Sequence, residues 1–415
     1  MAAVKRRILL LSPFAAVRDA DHGGARAVRG LAGALAQRHD LVLLHLEPGA
    51  QVDPDLAARC VAVDSLQQMD GGGAWSRRAR GGLALARGRS LWAGEIGVAR
   101  LQRRVRELAR GFSADIIQAE YAILGEALRA VDAGPLRVLT VHDPASTRRE
   151  SLSLRREGLP LAHRLDAVVS LRQERRALAL ADGVVVFTER DRRLLAPSTP
   201  ASTELVTLPL GWDVPAEALD PVGTQPPTLL FVGSFTHPPN VQAAVTLAQR
   251  ILPRVHVAHP EARLDIVGRS PPAEVLGLAG DGVVVRGFVP SVTPYLDRAA
   301  VVVTPIEIGG GMRIKVLEAL AAGKVVVASS RAAEGLTAQS GRDLLVADGD
   351  VGMAAAINRL LDDDRLRRQM AASARAWALR ELSWSTMADR YDELYARLER
   401  RRSGSRSRDA ATARR

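Results

Sequence analysis

The stretch that decides the reading is Pro305-Ile-Glu-Ile-Gly-Gly-Gly-Met-Arg-Ile-Lys-Val-Leu-Glu-Ala-Leu-Ala-Ala-Gly323. An apolar run at 300–304 precedes it and an amphipathic run at 314–322 closes it, which predicts strand, glycine loop and helix. Three consecutive glycines, Gly309, Gly310 and Gly311, let the backbone approach a ligand and take turns closed to other residues. The N–H groups opening a helix form an anion site by geometry and by dipole. Arg313 and Lys315 add two positive charges. Glu318, one turn beyond Ile314, offers a carboxylate that can accept two hydroxyl hydrogen bonds. Together these residues suit a nucleoside diphosphate with its ribose hydroxyls. The plain alternative is an ordinary strand–loop–helix connection with surface charges.

Outward from this stretch, short apolar runs alternate with helical patterns along the whole chain. Runs at 8–12, 41–46, 115–118, 137–141, 183–187 and 204–208 read as buried strands, with helices expected over 25–38, 99–110 and 164–181. The second half repeats the theme. Its strands are expected at 228–232, 263–267, 283–286, 300–304 and 325–328, and its helices at 241–252, 314–322, 351–361 and 365–379. Such alternation predicts an α/β protein of two Rossmann-like, doubly wound domains facing across a cleft. Seven prolines and glycines between 208 and 227 break both helix and strand. The expected organisation is therefore an acceptor-binding domain at 1–208, a hinge at 209–227 and a donor-binding domain at 228–383. A last helix at 384–400 is expected to pack back toward the first domain, before a disordered arginine-rich tail at 401–415.

Composition narrows the function classes. The chain has 415 residues, 47% hydrophobic and 25% charged, which fits folded domains rather than a disordered chain. No run approaches the roughly 18 apolar residues of a membrane span. One cysteine, Cys60, leaves no internal disulfide and no four-cysteine zinc site. Lys5-Arg6-Arg7 before Ile8-Leu9-Leu10-Leu11 mimics a signal peptide, but Ser12-Pro13 and Arg18-Asp19 follow, so a first buried strand and a cytoplasmic protein are expected. The net charge of +11 is concentrated in two places. From Arg77 to Arg110 ten arginines face two glutamates, and from Arg400 to Arg415 seven arginines face one aspartate. The remainder is mildly acidic, and aromatics are only 4%, so no nucleic-acid partner is expected.

The run Gly309–Gly323, followed after Lys324 by Val-Val-Val-Ala-Ser, resembles the donor-site signature of family 4 glycosyltransferases, retaining enzymes of the two-Rossmann-domain GT-B fold. Phe231-Val-Gly-Ser-Phe-Thr-His-Pro-Pro-Asn240, Leu264-Asp-Ile-Val-Gly268, Gly287-Phe-Val-Pro290, Glu334-Gly-Leu336 and Pro209-Leu-Gly-Trp-Asp213 agree in order and spacing. The first half is similar more loosely, through Gly23-Gly24, the strand end at 118–121, Thr140-Val-His-Asp143 and Glu174-Arg175. The resemblance spans roughly residues 5 to 400.

It implies a sugar transfer from a nucleotide-sugar donor to a glycan or lipid-linked acceptor in cell-surface polysaccharide or glycolipid synthesis. By the resemblance, Gly233 passes close to the donor diphosphate, and Asn240 and Met312 belong to the same donor site. Arg313 and Lys315 neutralise the departing diphosphate, Glu318 holds the ribose, and Gly23 and Gly24 let the first domain close over the donor. His142 hydrogen-bonds the sugar near its anomeric carbon. The catalytic candidates are thus His142, Arg313 and Lys315. One departure stands out: the family's common pair of glutamates is separated by seven residues, and the first position here is Gly310. The sugar contact is then expected from backbone N–H groups of the triple glycine. The basic residues that many relatives carry after Gly233 are also missing, and Arg313 with Lys315 is expected to replace them. With two cations and a helix terminus aimed at the leaving group, no metal and no cofactor is expected.

Weaker signals have bland readings. Asp53-Pro-Asp55 and Asp348-Gly-Asp350 have the form that metal-dependent transferases use, but turn-like surroundings favour solvated loops. His256 and His259 lie at a helix end, where imidazole is favoured without a metal. Asp143 either orients His142 or caps the following turn. In 98–112, Val98, Leu101, Val105 and Leu108 keep helical spacing while arginines cover the rest. That pattern fits a helix pressed on an anionic membrane surface, at the inner face, as well as one packed on the first sheet with a solvated arginine face.

Overall fold

A computed structural model describes residues 4–17, 23–67, 74–131, 134–147, 161–309 and 314–412. Two compact units divide the chain. Unit 1 runs to Gly211 and takes up the chain again at Trp384, whereas unit 2 comprises Trp212–Ser383.

Unit 1 is built on seven parallel strands: β1 (Arg7–Ser12), β2 (Asp40–His45), β3 (Ala62–Ser65), β4 (Ile116–Glu120), β5 (Leu136–Val141), β6 (Gly183–Val186) and β7 (Glu204–Thr207). Their order is β3-β2-β1-β4-β5-β6-β7, so chain direction across the sheet reverses between β1 and β4. Ile8, Leu9, Leu10 and Leu11 are buried on both faces, as parallel strands covered by helices require. The basic residues before them serve the fold. Arg6 is buried, with Nε on Glu399 Oε1 at 2.9 Å and a guanidinium nitrogen 3.2 Å from Asp392.

Unit 2 has six parallel strands: β8 (Thr228–Val232), β9 (Arg263–Val267), β10 (Val283–Gly287), β11 (Val301–Thr304), β12 (Val326–Ala328) and β13 (Leu345–Val346). The order β10-β9-β8-β11-β12-β13 is the doubly wound one, with its switch point between β8 and β11. Both sheets are α/β in kind. The two strands absent from the sequence reading, β3 and β13, are short edge strands, and Ala62-Val-Asp-Ser65 carries no apolar run to announce it.

Two segments differ from expectation. Of the stretch read as a hinge, the residues after Trp212 are fastened within unit 2: Leu219 N donates to Ala322 O, Thr224 N donates to Arg298 O, and the ammonium of Lys324 donates to Asp220 O. The last helix also does not end at Arg400; it continues to Thr412. Gly404 alone interrupts a run of residues that helices tolerate, and Ser403 Oγ caps back onto Glu399 O. This helix packs within unit 1. The Trp384 indole lies where a Cβ at Gly30 or Gly211 would be, 1.9 Å and 2.6 Å away, so both positions need glycine.

Candidate functional site

In unit 2 the chemistry gathers at the switch point, beyond the carboxyl ends of β8 and β11, where open α/β sheets receive ligands. Gly233 follows β8. A Cβ there would meet Asn240 Cγ and Lys315 Nζ, both at 2.9 Å. Gly268, at the end of β9 with φ +156°, would put a Cβ 1.8 Å from Gly233 O. Main chain and cation thus crowd together because neither glycine has a side chain. Lys315 sits in the first turn of the Ile314–Ala321 helix. Its Nζ donates to Asn240 Oδ1 at 2.6 Å and lies 4.7 Å from the centre of the Phe231 ring. The Asn240 amide is oriented in turn, its Nδ2 donating to Ser234 O at 2.6 Å. A lysine so held is a point charge whose position is set before any ligand arrives.

Glu318 is half-buried one turn further along the same helix. Gly309 takes φ +105°, a conformation that favours glycine. Gly310, Gly311, Met312 and Arg313 lie outside the described residues. Close by in sequence, Lys324 is fully buried among the carbonyls of Asp220 and Asp297, and burial pushes its pKa down to about 8.

Unit 1 carries a second cluster at the carboxyl ends of β4 and β5. Glu120 ends β4 and is fully buried. Its Oε2 lies 2.7 Å from His142 Nε2, while Oε1 accepts from Gln118 Nε2 at 2.7 Å and from Thr140 Oγ1 at 2.9 Å. The last helix covers this network from outside: Tyr391 OH is 3.2 Å from Thr140 Oγ1, and Tyr395 OH donates to Gln118 Oε1. Burial first, then neighbouring charges including Glu120, holds both phenols well above their usual pKa, so both stay protonated. His142 is also clamped by rings. Tyr121 stacks on it at 3.9 Å and 7°, and Phe187 meets it edge-on at 4.9 Å. Tyr121 reaches that position through a backbone with φ +74°, uncommon for a residue with a side chain. His142 lines a cavity with Trp92, Tyr121, Asp143, Gln173 and Glu174.

Glu120 was missed in the sequence; the signal was a carboxylate ending a buried strand whose other polar residue is Gln118. Asp143, the partner suggested for His142, instead accepts from Thr147 Oγ1 at 2.7 Å, which is the turn-capping alternative. Gly23 and Gly24 open the Gly23–Ala36 helix of unit 1 and are half-buried. Asp53 is not a solvated loop residue: it is buried, accepts from Asp55 N and pairs with Arg29 at 2.8 Å. Asp348 accepts from Ser330 N and Asp350 pairs with Arg250. His256 Nε2 bonds Ala262 O at 2.9 Å. In the basic segment, Leu101, Val105 and Ala109 of the Val98–Gly111 helix enter the unit 1 core, and Arg104 bonds Asp64 at 2.6 Å. The apolar side of that helix is therefore used by the fold, leaving Arg100, Arg103, Arg106 and Arg110 exposed.

Residues 226–363 match the family model described as glycosyl transferases group 1. The chain carries a group 1 glycosyltransferase domain. Phosphatidyl-myo-inositol mannosyltransferase of Mycolicibacterium smegmatis is 31% identical over 208 residues, 46% of this chain and 52% of that protein, so the chain spans about half the length of this curated relative. Among solved structures, sucrose-phosphate synthase from Thermosynechococcus elongatus matches with TM-score 0.68 and 19% identity, over 95% of this chain and 99% of that one. Anabaena HepE, in complex with UDP and glucose, matches with TM-score 0.62 and 16% identity, over 94% and 99%. The chain thus has the two Rossmann-like domains of the GT-B fold, and the group 1 match lies in unit 2, where Gly233, Asn240 and Lys315 meet.

Proposed function

We propose that the chain is a retaining, metal-independent glycosyltransferase that moves a sugar from a nucleoside-diphosphate donor to a glycan or lipid-linked acceptor, in cell-surface polysaccharide or glycolipid synthesis. The observation that carries this reading is the prepositioned cation: Lys315 held by Asn240 and Phe231 against the bare backbone of Gly233. Breaking a glycosyl–phosphate bond builds negative charge on the diphosphate. A fixed ammonium and the N–H groups of the Ile314–Ala321 helix meet that charge as it develops, and so stabilise the transition state more than the ground state. Arg313, placed by its position in the sequence, adds a second cation. Glu318 takes the ribose hydroxyls, and the triple glycine offers backbone N–H groups to the sugar in place of a carboxylate at Gly310.

Unit 1 supplies the acceptor side. His142 contacts the donor sugar there, and Gly23 with Gly24 admits close approach of the diphosphate. The relative named as a phosphatidyl-myo-inositol mannosyltransferase and the HepE complex with UDP and glucose support a nucleotide-sugar donor and a lipid or glycan acceptor. The exposed arginines of the Val98–Gly111 helix support contact with anionic lipid on the cytoplasmic face of a membrane, each worth about 1 kcal/mol near such a surface.

The test is turnover of the full chain on UDP-, GDP- and ADP-sugars with lipid and glycan acceptors, with and without EDTA. The reading expects release of one nucleoside diphosphate, EDTA-insensitive, with the donor's anomeric configuration kept in the product. Inverted product, or loss of turnover in EDTA, contradicts it.

A further inference from the structure

We propose that Glu120 is a positioning residue: it holds His142 as the Nε2–H tautomer, so that Nδ1 is presented as a hydrogen-bond acceptor for a sugar hydroxyl. This rests on the reading of the chain as a glycosyltransferase and assigns a role that the family match does not.

The Tyr391 and Tyr395 phenols are fully buried and protonated, so each must donate. Tyr395 donates to Gln118 Oε1, which leaves the Gln118 amide nitrogen to donate to Glu120 Oε1. The Thr140 hydroxyl donates to the same oxygen at 2.9 Å, and with its one proton so used it accepts from Tyr391 OH at 3.2 Å. Glu120 Oε1 thus accepts both bonds, one from β4 and one from β5. A buried carboxylate that accepts two neutral hydrogen bonds is completed by a third donor, and His142 Nε2 at 2.7 Å fills that place.

When Nε2–H donates to Glu120, the lone pair of a neutral imidazole ring lies on Nδ1. Among the described residues nothing hydrogen-bonds that nitrogen, while His142 lines the cavity with Trp92 and Tyr121. The ring cannot rotate away, because Tyr121 covers one face at 3.9 Å and the edge contact with Phe187 blocks the other motion. An acceptor nitrogen fixed in direction between aromatic rings is suited to a hydroxyl of a pyranose. The opposite tautomer would turn a donor toward that hydroxyl and reverse the recognition.

The experiment is a long-range 1H–15N correlation spectrum of the full chain, with the His142 signals assigned by their loss in His142→Gln. Wild type is expected to show protonated Nε2 and unprotonated Nδ1, and Glu120→Gln to lose this single-tautomer pattern. In turnover, Glu120→Gln is expected to lower kcat 10- to 100-fold. KM for the nucleotide sugar is expected to rise with the lost hydroxyl contact, whereas Kd for the free nucleoside diphosphate, which carries no sugar hydroxyl for His142, is expected to stay within about twofold. Glu120→Asp should recover part of kcat. A protonated Nδ1 in wild type overturns the proposal, as does undiminished kcat in Glu120→Gln. The spectrum needs no activity, so an inactive chain that keeps the Nε2–H pattern would count against the transferase reading alone.

Discussion

Units 1 and 2 both place polar chemistry at the carboxyl ends of parallel strands, β4 and β5 in the one and β8 and β11 in the other, yet hold it in opposite ways. Unit 1 buries a carboxylate, Glu120, and converges Gln118 of β4, Thr140 of β5 and His142 on it. Unit 2 leaves Lys315 half-buried beside bare glycine backbone, in contact with the Asn240 amide and the Phe231 ring. In the proposed function the first arrangement orients a ring toward a neutral hydroxyl. In the same proposal the second presents a charge to an anion. Desolvation explains the contrast. A buried anion is tolerable only with its lone pairs filled, whereas a charge meant for a ligand must keep part of its surface open.

The comparison can be broken in three places, beginning with the largest expected effect. Removing the waiting charge in Lys315→Ala should lower kcat by about 100- to 1000-fold, roughly 2.7–4 kcal/mol of transition-state stabilisation, in steady-state turnover. Retention of full activity would end the leaving-group role.

A sharper contrast comes from Lys324, a cation that unit 2 buries completely. Its pKa in the fold is about 8 against an ordinary 10.5, so below pH 8 both folded and unfolded chains carry the proton and the burial cost is constant. Between pH 8 and 10.5 the folded chain releases the proton first, so the unfolded chain binds more protons and stability rises with pH. Urea denaturation of wild type against Lys324→Met should therefore show a relative gain for wild type of about 1.4 kcal/mol per pH unit across that window. A flat difference would mean that the ammonium is solvated.

The smallest effect tests the unit 1 network. Tyr391→Phe removes one donor while keeping the ring, and should cost about 1 kcal/mol of stability in the same denaturation experiment without changing Kd for nucleoside diphosphates. A changed Kd would mean that the buried network reaches beyond unit 1.

How far the chain could be read in advance follows the same division. In unit 2 the candidate site could be proposed from sequence because Gly309 to Glu318 lies within ten residues, of which 310–313 fall outside the described residues. The contact that organises it, Lys315 with Asn240, joins residues 75 apart and needed the sheet to close. Unit 1 was less legible. His142 stood out at a strand end, but its partner was sought next door at Asp143, whereas pairing of β4 with β5 brings Glu120 alongside. Tyr391 and Tyr395 lie on the buried face of the last helix, and their hydroxyls matter only because that face lands on Gln118 and Thr140. Short edge strands such as β3 were missed because nothing in Ala62-Val-Asp-Ser65 distinguishes them from a loop.

In the proposed function the glycine backbone and fixed lysine of unit 2 bind a nucleoside diphosphate. Thermal unfolding of the full chain with UDP, GDP or ADP, each with and without EDTA, reads that binding. At about 100 times the dissociation constant a ligand adds roughly 2.7 kcal/mol, enough to raise Tm by several degrees. The account predicts an upward shift selective for one base, unchanged by EDTA and lost in Lys315→Ala. No shift with any of the three, or an equal shift in Lys315→Ala, would contradict it.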